Sequence, residues 1–201
     1  IGVGPSSSHT LGPWRAAERF LGESRSENLI QFVTSVRVDL YGSLSLTGKG
    51  HATDLAIMLG LSGQDPEYIP VQNITQIVSE INEKKTLLLG NEILIPFFPE
   101  EAIIFNKNFL PFHANGLKFT AYLLDKTEYS STYYSIGGGF VVVEERVNAK
   151  KKLEIKCAFP FPIQNADELL KYTLEQNKSI SEIVYENEKS MRSEAEIHHE
   201  L

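Results

Sequence analysis

From Thr86 onward the chain stops reading as helix and reads as strand. Segments 86–89, 93–97, 102–106, 117–124, 129–134 and 140–145 are short, apolar or alternating, and rich in β-branched and aromatic residues. Leu153, Ile155 and Cys157 alternate in a last such segment, which Pro160 and Pro162 end. One strand pattern precedes them, over about 35–41, where Val36, Val38 and Leu40 alternate with Arg37, Asp39 and Tyr41. Strands this numerous need a sheet, and a half-buried sheet needs helices against its apolar face. The expected class is therefore α+β, sandwich-like, with an antiparallel or mixed sheet and helices packed on it.

The helical patterns lie on either side of that block. Thr10 is placed to cap a first helix, with Pro13 tolerated in its first turn. Trp14, Ala17, Phe20 and Leu21 line its buried side, and Gly22 is expected to end it. Polar residues 24–28 then read as a connector. After a glycine-rich stretch, Leu55, Met58 and Leu59 share one helix face. Asn73 with Gln76 reads as a capping box ahead of Ile74, Ile77, Val78 and Ile81. Asn165 with Glu168, and Ser179 with Glu182, open two further helices, the second striped with Ile180, Ile183, Val184 and Met191. Residues 190–201 turn polar, as a linker would. Two regions are expected: 1–162, carrying the loops and strands, and 163–201, carrying the terminal helices.

Composition narrows the partners. A net charge of −7 argues against a nucleic-acid backbone, which needs clustered Lys and Arg. The short basic run Lys150-Lys151-Lys152 reads as a solvated hairpin tip. One cysteine, Cys157, can neither close an internal disulfide nor hold a zinc or iron–sulfur site alone, and is most simply a small core residue. Low cysteine use fits a reducing, cytoplasmic setting. No apolar run approaches the ~20 residues of a membrane span. The first residue is not Met and there is no signal-peptide layout, so a piece of a longer protein is expected.

Three polar constellations carry chemistry. Ser6, Ser7, Ser8, His9 and Thr10 follow a Gly-Pro turn and run into the first helix. Free backbone N–H groups and about half a positive charge at a helix start suit a carboxylate or phosphate. The plainer reading is a hydroxyl cap with its surplus in solvent. Residues 42–51, GSLSLTGKGH, look like a phosphate loop at first. Five residues rather than four separate Gly42 from Gly48, and Gly50 stands where a Mg²⁺-binding hydroxyl belongs, so a nucleotide loop is rejected. What remains is Lys49 and His51 at a glycine-flanked helix start, where the helix field suits a ring that accepts a proton. A histidine serving a backbone hydrogen bond is the alternative. Asn115-Gly116 signals a tight hairpin, and His113 with Asn115 could also face a small ligand. Ser135-Ile-Gly-Gly-Gly139 is either a bulged turn or a closely approached backbone. A serine hydrolase built on Ser8 and His9 is discounted: neighbours in an extended loop point opposite ways, and no nucleophile elbow is evident.

GVGPSSSHT, LYGSLSLTGKGHATD, LPFHANG and TYYSIGGGF, in that order, resemble the N-terminal β domain of bacterial single-chain iron–sulfur L-serine dehydratases. The resemblance runs over essentially the whole chain, through the NEKS segment at 187–190. It implies an enzyme that converts L-serine to pyruvate and ammonia. Its [4Fe–4S] cluster would sit on three cysteines of a catalytic α domain outside this chain, one iron acting as Lewis acid on the serine hydroxyl. Cys157 matches no cluster ligand, so this chain is expected to bind no cluster and to be inactive alone. The resemblance makes His51 the catalytic base. It gives Ser6, Ser7, Ser8, His9, Thr10 and Lys49 to substrate, and His113 and Asn115 to a separate regulatory L-serine site. It implies a fold similar to the allosteric substrate-binding domain of phosphoglycerate dehydrogenases. It also implies a homodimeric complete enzyme, with neither nucleic acid nor membrane as partner. A purely regulatory serine-binding module is the alternative.

Overall fold

The computed structural model describes residues 5–144, 159–163, 165–190 and 192–200. Cys157, the strand expected around it, the Lys150–Lys152 tip and Met191 lie outside these residues. The chain divides into two compact units, Ile1–Lys150 and Lys151–Leu201.

In the first unit the order is α1 (Gly12–Ser26), β1 (Val33–Leu40), α2 (Gly42–Thr47), α3 (Thr53–Leu61), α4 (Val71–Lys84), β2 (Thr86–Leu89) and β3 (Ile93–Pro96). Then follow α5 (Pro99–Ala102), β4 (Ile103–Phe105), β5 (Gly116–Leu123), β6 (Glu128–Gly137) and β7 (Phe140–Val143). Five strands form one mixed sheet in the order β4-β1-β5-β6-β7, while β2 and β3 pair separately. Only β1–β4 is parallel, with Val38 opposite Ile103; the other neighbours are antiparallel. The architecture is α+β, as the strand block predicts.

Alternation decides which face is covered. Val36, Val38 and Leu40 of β1, with Leu117, Phe119 and Ala121 of β5, are buried in the main core together with Phe20 and Leu21 of α1. Arg37, Asp39, Lys118 and Thr132 fall on the other face, where Arg37 grips Asp39 with two hydrogen bonds of 2.9 and 2.7 Å. The phenol of the fully buried Tyr133 donates to Glu23 at 2.6 Å, tying β6 to α1. Burial, and then that hydrogen bond, push the phenol's pKa up, so it remains a donor.

Several local expectations are corrected. Gly22 does not end α1: the helix runs on to Ser26, and its last turn is held by Arg25, which donates to the Gly90 carbonyl at 2.8 Å. The left-handed turn that stops it belongs to Asn28 (φ 56°), where Leu29 N–H returns to the Ser24 carbonyl at 2.8 Å. α3 has no single apolar face: Ala56, Ile57, Met58, Leu59 and Leu61 are all buried. Asn73 is not a cap; Pro70, extended at φ −61° and ψ 129°, precedes the helix and Asn73 sits in its first turn. Asn115-Gly116 makes no hairpin, because β4 and β5 flank β1 on opposite sides and neither residue takes positive φ. The tight turn of that kind is Gly90-Asn91, at φ 60° and 61°, joining β2 to β3. Of the readings left open for residues 135–139, a bulged turn is what forms. The register shifts between Ser135 and Gly137, and three consecutive glycines take positive φ.

The second unit contains α6 (Ala166–Gln176), α7 (Ile180–Lys189) and α8 (Glu194–Glu200). Asn165 caps α6 by accepting from Glu168 N–H at 2.9 Å, and Ser179 with Glu182 forms the expected capping box of α7. Ser193 and Glu196 make the same reciprocal pair ahead of α8. Asn187 locks the Phe161 backbone from both sides, at 2.9 and 2.7 Å. Among the described residues no helix is long and apolar enough to cross a membrane.

α1 and α3 cross where both are small. A Cβ on Gly60 would lie 2.7 Å from the Ala17 Cβ and 2.8 Å from the Trp14 carbonyl oxygen. Alanine is the better helix former by about 1 kcal/mol, yet overpacking costs about 1–3 kcal/mol. Gly60→Ala is therefore expected to lower stability, read as a lower denaturant midpoint at unchanged slope.

Candidate functional site

The serine loop is a helical turn. Ser6, extended at φ −146°, caps it by accepting His9 N–H on its hydroxyl at 3.2 Å. Thr10 is not the cap that spacing suggests, since the chain has already wound up by Ser7. Residues Ser7–Leu11 are wound wider than an α-helix, and Gly12 N–H reaches back five residues to the Ser7 carbonyl.

Pro13 explains what holds this turn. It has no N–H to offer the carbonyl four residues back, on His9, or five back, on Ser8. Those are the two carbonyls that side-chain hydroxyls take. Thr53 Oγ1 donates to His9 O at 2.5 Å, and Ser135 Oγ donates to Ser8 O at 2.7 Å. Both donors are wholly buried. A Cβ on Gly12 would collide with Ser135 Oγ, so only glycine lets α1 come this close to β6.

His51 reaches the same place from the other side. Its turn, Gly48–His51, ends on Ala52, which takes a left-handed φ of 55° before α3 begins. A non-glycine residue there costs about 1–2 kcal/mol. Thr10, buried, donates to the His51 carbonyl at 2.8 Å and ties the two turns together. The imidazoles of His9 and His51 stand 5.1 Å apart, tilted by 49°. His9 Nδ1 meets Ser8 Oγ at 2.9 Å and its Nε2 meets Ser43 Oγ at 3.0 Å. Ser8 and His9 do interact, contrary to the extended-loop expectation, because the turn is helical. The far nitrogen of His9 faces a serine rather than a carboxylate, so the pair is not a hydrolase triad.

Of the residues singled out from sequence, Ser8, His9, Thr10 and His51 come together. Ser6 uses its oxygen on the cap, and Ser7 is exposed. Lys49 rests its ammonium 5.1 Å above the Phe105 ring. His113 accepts Asn115 N–H on Nδ1 at 3.1 Å, and Asn115 is buried with its amide on the Ser135 carbonyl at 3.1 Å. Sequence reasoning missed Ser43, Thr53 and the role of Ser135. Pro13 was the available signal, since a proline in a first turn announces carbonyls in need of donors.

Among the described residues no group of three or more His, Cys, Asp or Glu could hold a metal ion. One cysteine in the whole sequence cannot supply a three-thiolate cluster site. The residues of this chain therefore do not fit an iron–sulfur cluster.

The serine dehydratase beta chain profile matches residues 1–146. The chain belongs to that family. It is 42% identical over 198 residues to L-serine dehydratase 1 of Escherichia coli, covering 98% of this chain and 43% of that protein. It is 42% identical over 199 residues to an L-serine dehydratase of Streptomyces coelicolor, covering 98% and 44%. For the Helicobacter pylori L-serine dehydratase the figures are 37% over 195 residues, 96% and 42%. The chain thus spans less than half the length of these relatives.

Burial lowers the His9 pKa below its ordinary 6.5, the neighbouring His51 lowers it further, and hydrogen bonding with the Ser43 backbone opposes both. The unfolded chain then binds more protons than the folded one near pH 6.5. The His9 contribution is whole above that pH and is lost as pH falls through the lowered folded value. Wild-type melting temperature is expected to fall more between pH 7.5 and 5 than that of His9→Asn, as parallel thermal melts would record. Equal slopes would count against the assignment.

Proposed function

We propose that this chain is the β domain of an L-serine dehydratase, and that it contributes a proton acceptor and a substrate-binding loop to the conversion of L-serine into pyruvate and ammonia. Residues 1–162 form that domain, and 163–201 lead towards a catalytic α domain of the same polypeptide. The complete enzyme is a cytoplasmic homodimer, and its [4Fe–4S] cluster is carried by cysteines outside this chain.

One observation carries the roles: both nitrogens of His9 are engaged by hydroxyls, whereas the His51 ring makes no hydrogen bond among the described residues. An imidazole with a free lone pair beside a fixed neutral one is suited to take a proton. His51 removes the α-proton of serine. The electron pair left at Cα forms the Cα=Cβ bond as the β-hydroxyl leaves as water with the proton that His51 took, which returns the ring to its starting state. Aminoacrylate results, tautomerises to the imine and is hydrolysed to pyruvate and ammonia. The Ser7 and Ser8 hydroxyls hold the carboxylate and ammonium groups, the fixed His9 ring and Thr10 keep that loop against the His51 turn, and Lys49 swings from Phe105 to neutralise the carboxylate. Ser6 shapes the loop through its cap. In the full-length protein, His51→Ala is expected to lower kcat about 10²–10⁴-fold and to leave the cluster absorption unchanged. Turnover near the wild-type rate would overturn the role of His51.

A second reading concerns regulation. His113 has Nδ1 occupied by the Asn115 N–H, so its neutral ring carries the proton on Nε2 and can donate it to a carboxylate. With Asn115 it would form a regulatory L-serine site. Calorimetry on the full-length protein is expected to show a second serine equivalent that His113→Ala removes; an isotherm unaltered by the substitution would dismiss it.

A further inference from the structure

Between the two candidate sites stands a residue that neither reading uses. Ser135 is wholly buried near the end of β6, and all three of its polar groups are engaged. Its N–H donates to the Asn115 carbonyl at 3.0 Å, and its carbonyl accepts from Asn115 Nδ2 at 3.1 Å. Its hydroxyl donates to the Ser8 carbonyl at 2.7 Å. Ser8 in turn places its own hydroxyl 2.9 Å from His9 Nδ1, and His9 lies against His51.

We propose that Ser135 is a positioning residue, which holds the His9 turn through the Ser8 carbonyl and is itself held in place by Asn115. The proposal rests on the catalytic reading above. Pro13 makes the hold necessary, because the helix offers the Ser8 carbonyl no donor of its own from that position. Asn115 clamps Ser135 at both its N–H and its C=O, and so fixes the backbone from which Ser135 Oγ reaches the Ser8 carbonyl. A displacement of Asn115 therefore reaches His9 through the end of β6 and one hydroxyl. A shift of about 1 Å in such a group can cost on the order of 10²-fold in rate.

The test uses the full-length protein, with kinetics referred to folded, cluster-loaded enzyme. Ser135→Ala is expected to lower kcat/KM about 10- to 100-fold. Asn115→Asp keeps the side-chain volume but sets a carboxylate oxygen against the Ser135 carbonyl, and is expected to produce a loss of similar size. It also serves should Ser135→Ala fail to fold. The double variant should lose no more than the worse single one, since both act through one contact. Tyr134→Phe, which removes the neighbouring phenol's 3.1 Å bond to Glu144, is the control: it should shift the melting temperature and leave the kinetics alone. Kinetics within twofold of wild type in Ser135→Ala, or losses that multiply in the double variant, would overturn the proposal. If His51→Ala in the same series still turns over, the catalytic reading fails instead; if only His51→Ala is inactive, that reading stands and this one falls.

Discussion

A missing hydrogen organises the functional end of this fold. Pro13 cannot donate to the carbonyls behind it, and an unpaired buried carbonyl costs about 1–3 kcal/mol. Thr53 from α3 and Ser135 from β6 meet that need, at 2.5 and 2.7 Å. The helix start is thus cross-linked to α3 and to the sheet at once. The wide turn Ser7–Leu11, the glycine at position 12 and the left-handed Ala52 all follow from bringing those three elements together.

The sheet supplies the rigidity that this cross-link needs. β6 is paired on both sides, with β5 and β7, and is bolted to α1 by the Tyr133–Glu23 bond. The hydroxyl that holds the His9 turn therefore stands on a strand that is paired on both sides. The imidazole pair combines one ring whose hydrogen bonds are already assigned with one whose ring makes none among the described residues. In the proposed reading, the first ring stays put and the second takes the proton.

Much of this was legible in the residues, and the exceptions share a cause. The strand block from Thr86, the α+β class, the Asn165 cap and the Ser179–Glu182 capping box follow from local periodicity and local hydrogen-bond chemistry. So did the family, through four unusual motifs in order. The failures are places where tertiary contact overrode local preference. Gly22 does not terminate α1 because the turn after it is held by tertiary contact, with Ser24 buried and Arg25 bonded to the Gly90 carbonyl. Asn115-Gly116 lacks the turn it advertises because the neighbouring strands in sequence are not neighbours in the sheet. Ser43, Thr53 and Ser135 were hard to see because each acts on a residue at least 34 positions away, and nothing in their own surroundings marks the partner.

The burial of Asn115 has a chemical consequence of its own. Asn-Gly is the dipeptide in which the backbone nitrogen most readily attacks the side-chain amide, closing a succinimide that opens to aspartate or isoaspartate. Here the amide nitrogen is engaged on the Ser135 carbonyl and the residue is 9% exposed, so the ring closure is held back for as long as the segment stays folded. Each excursion out of that fold exposes the pair to attack, and the product can no longer donate to Ser135. The segment thus keeps a covalent record of its own unfolding, which peptide mapping of aged protein would display at a single position.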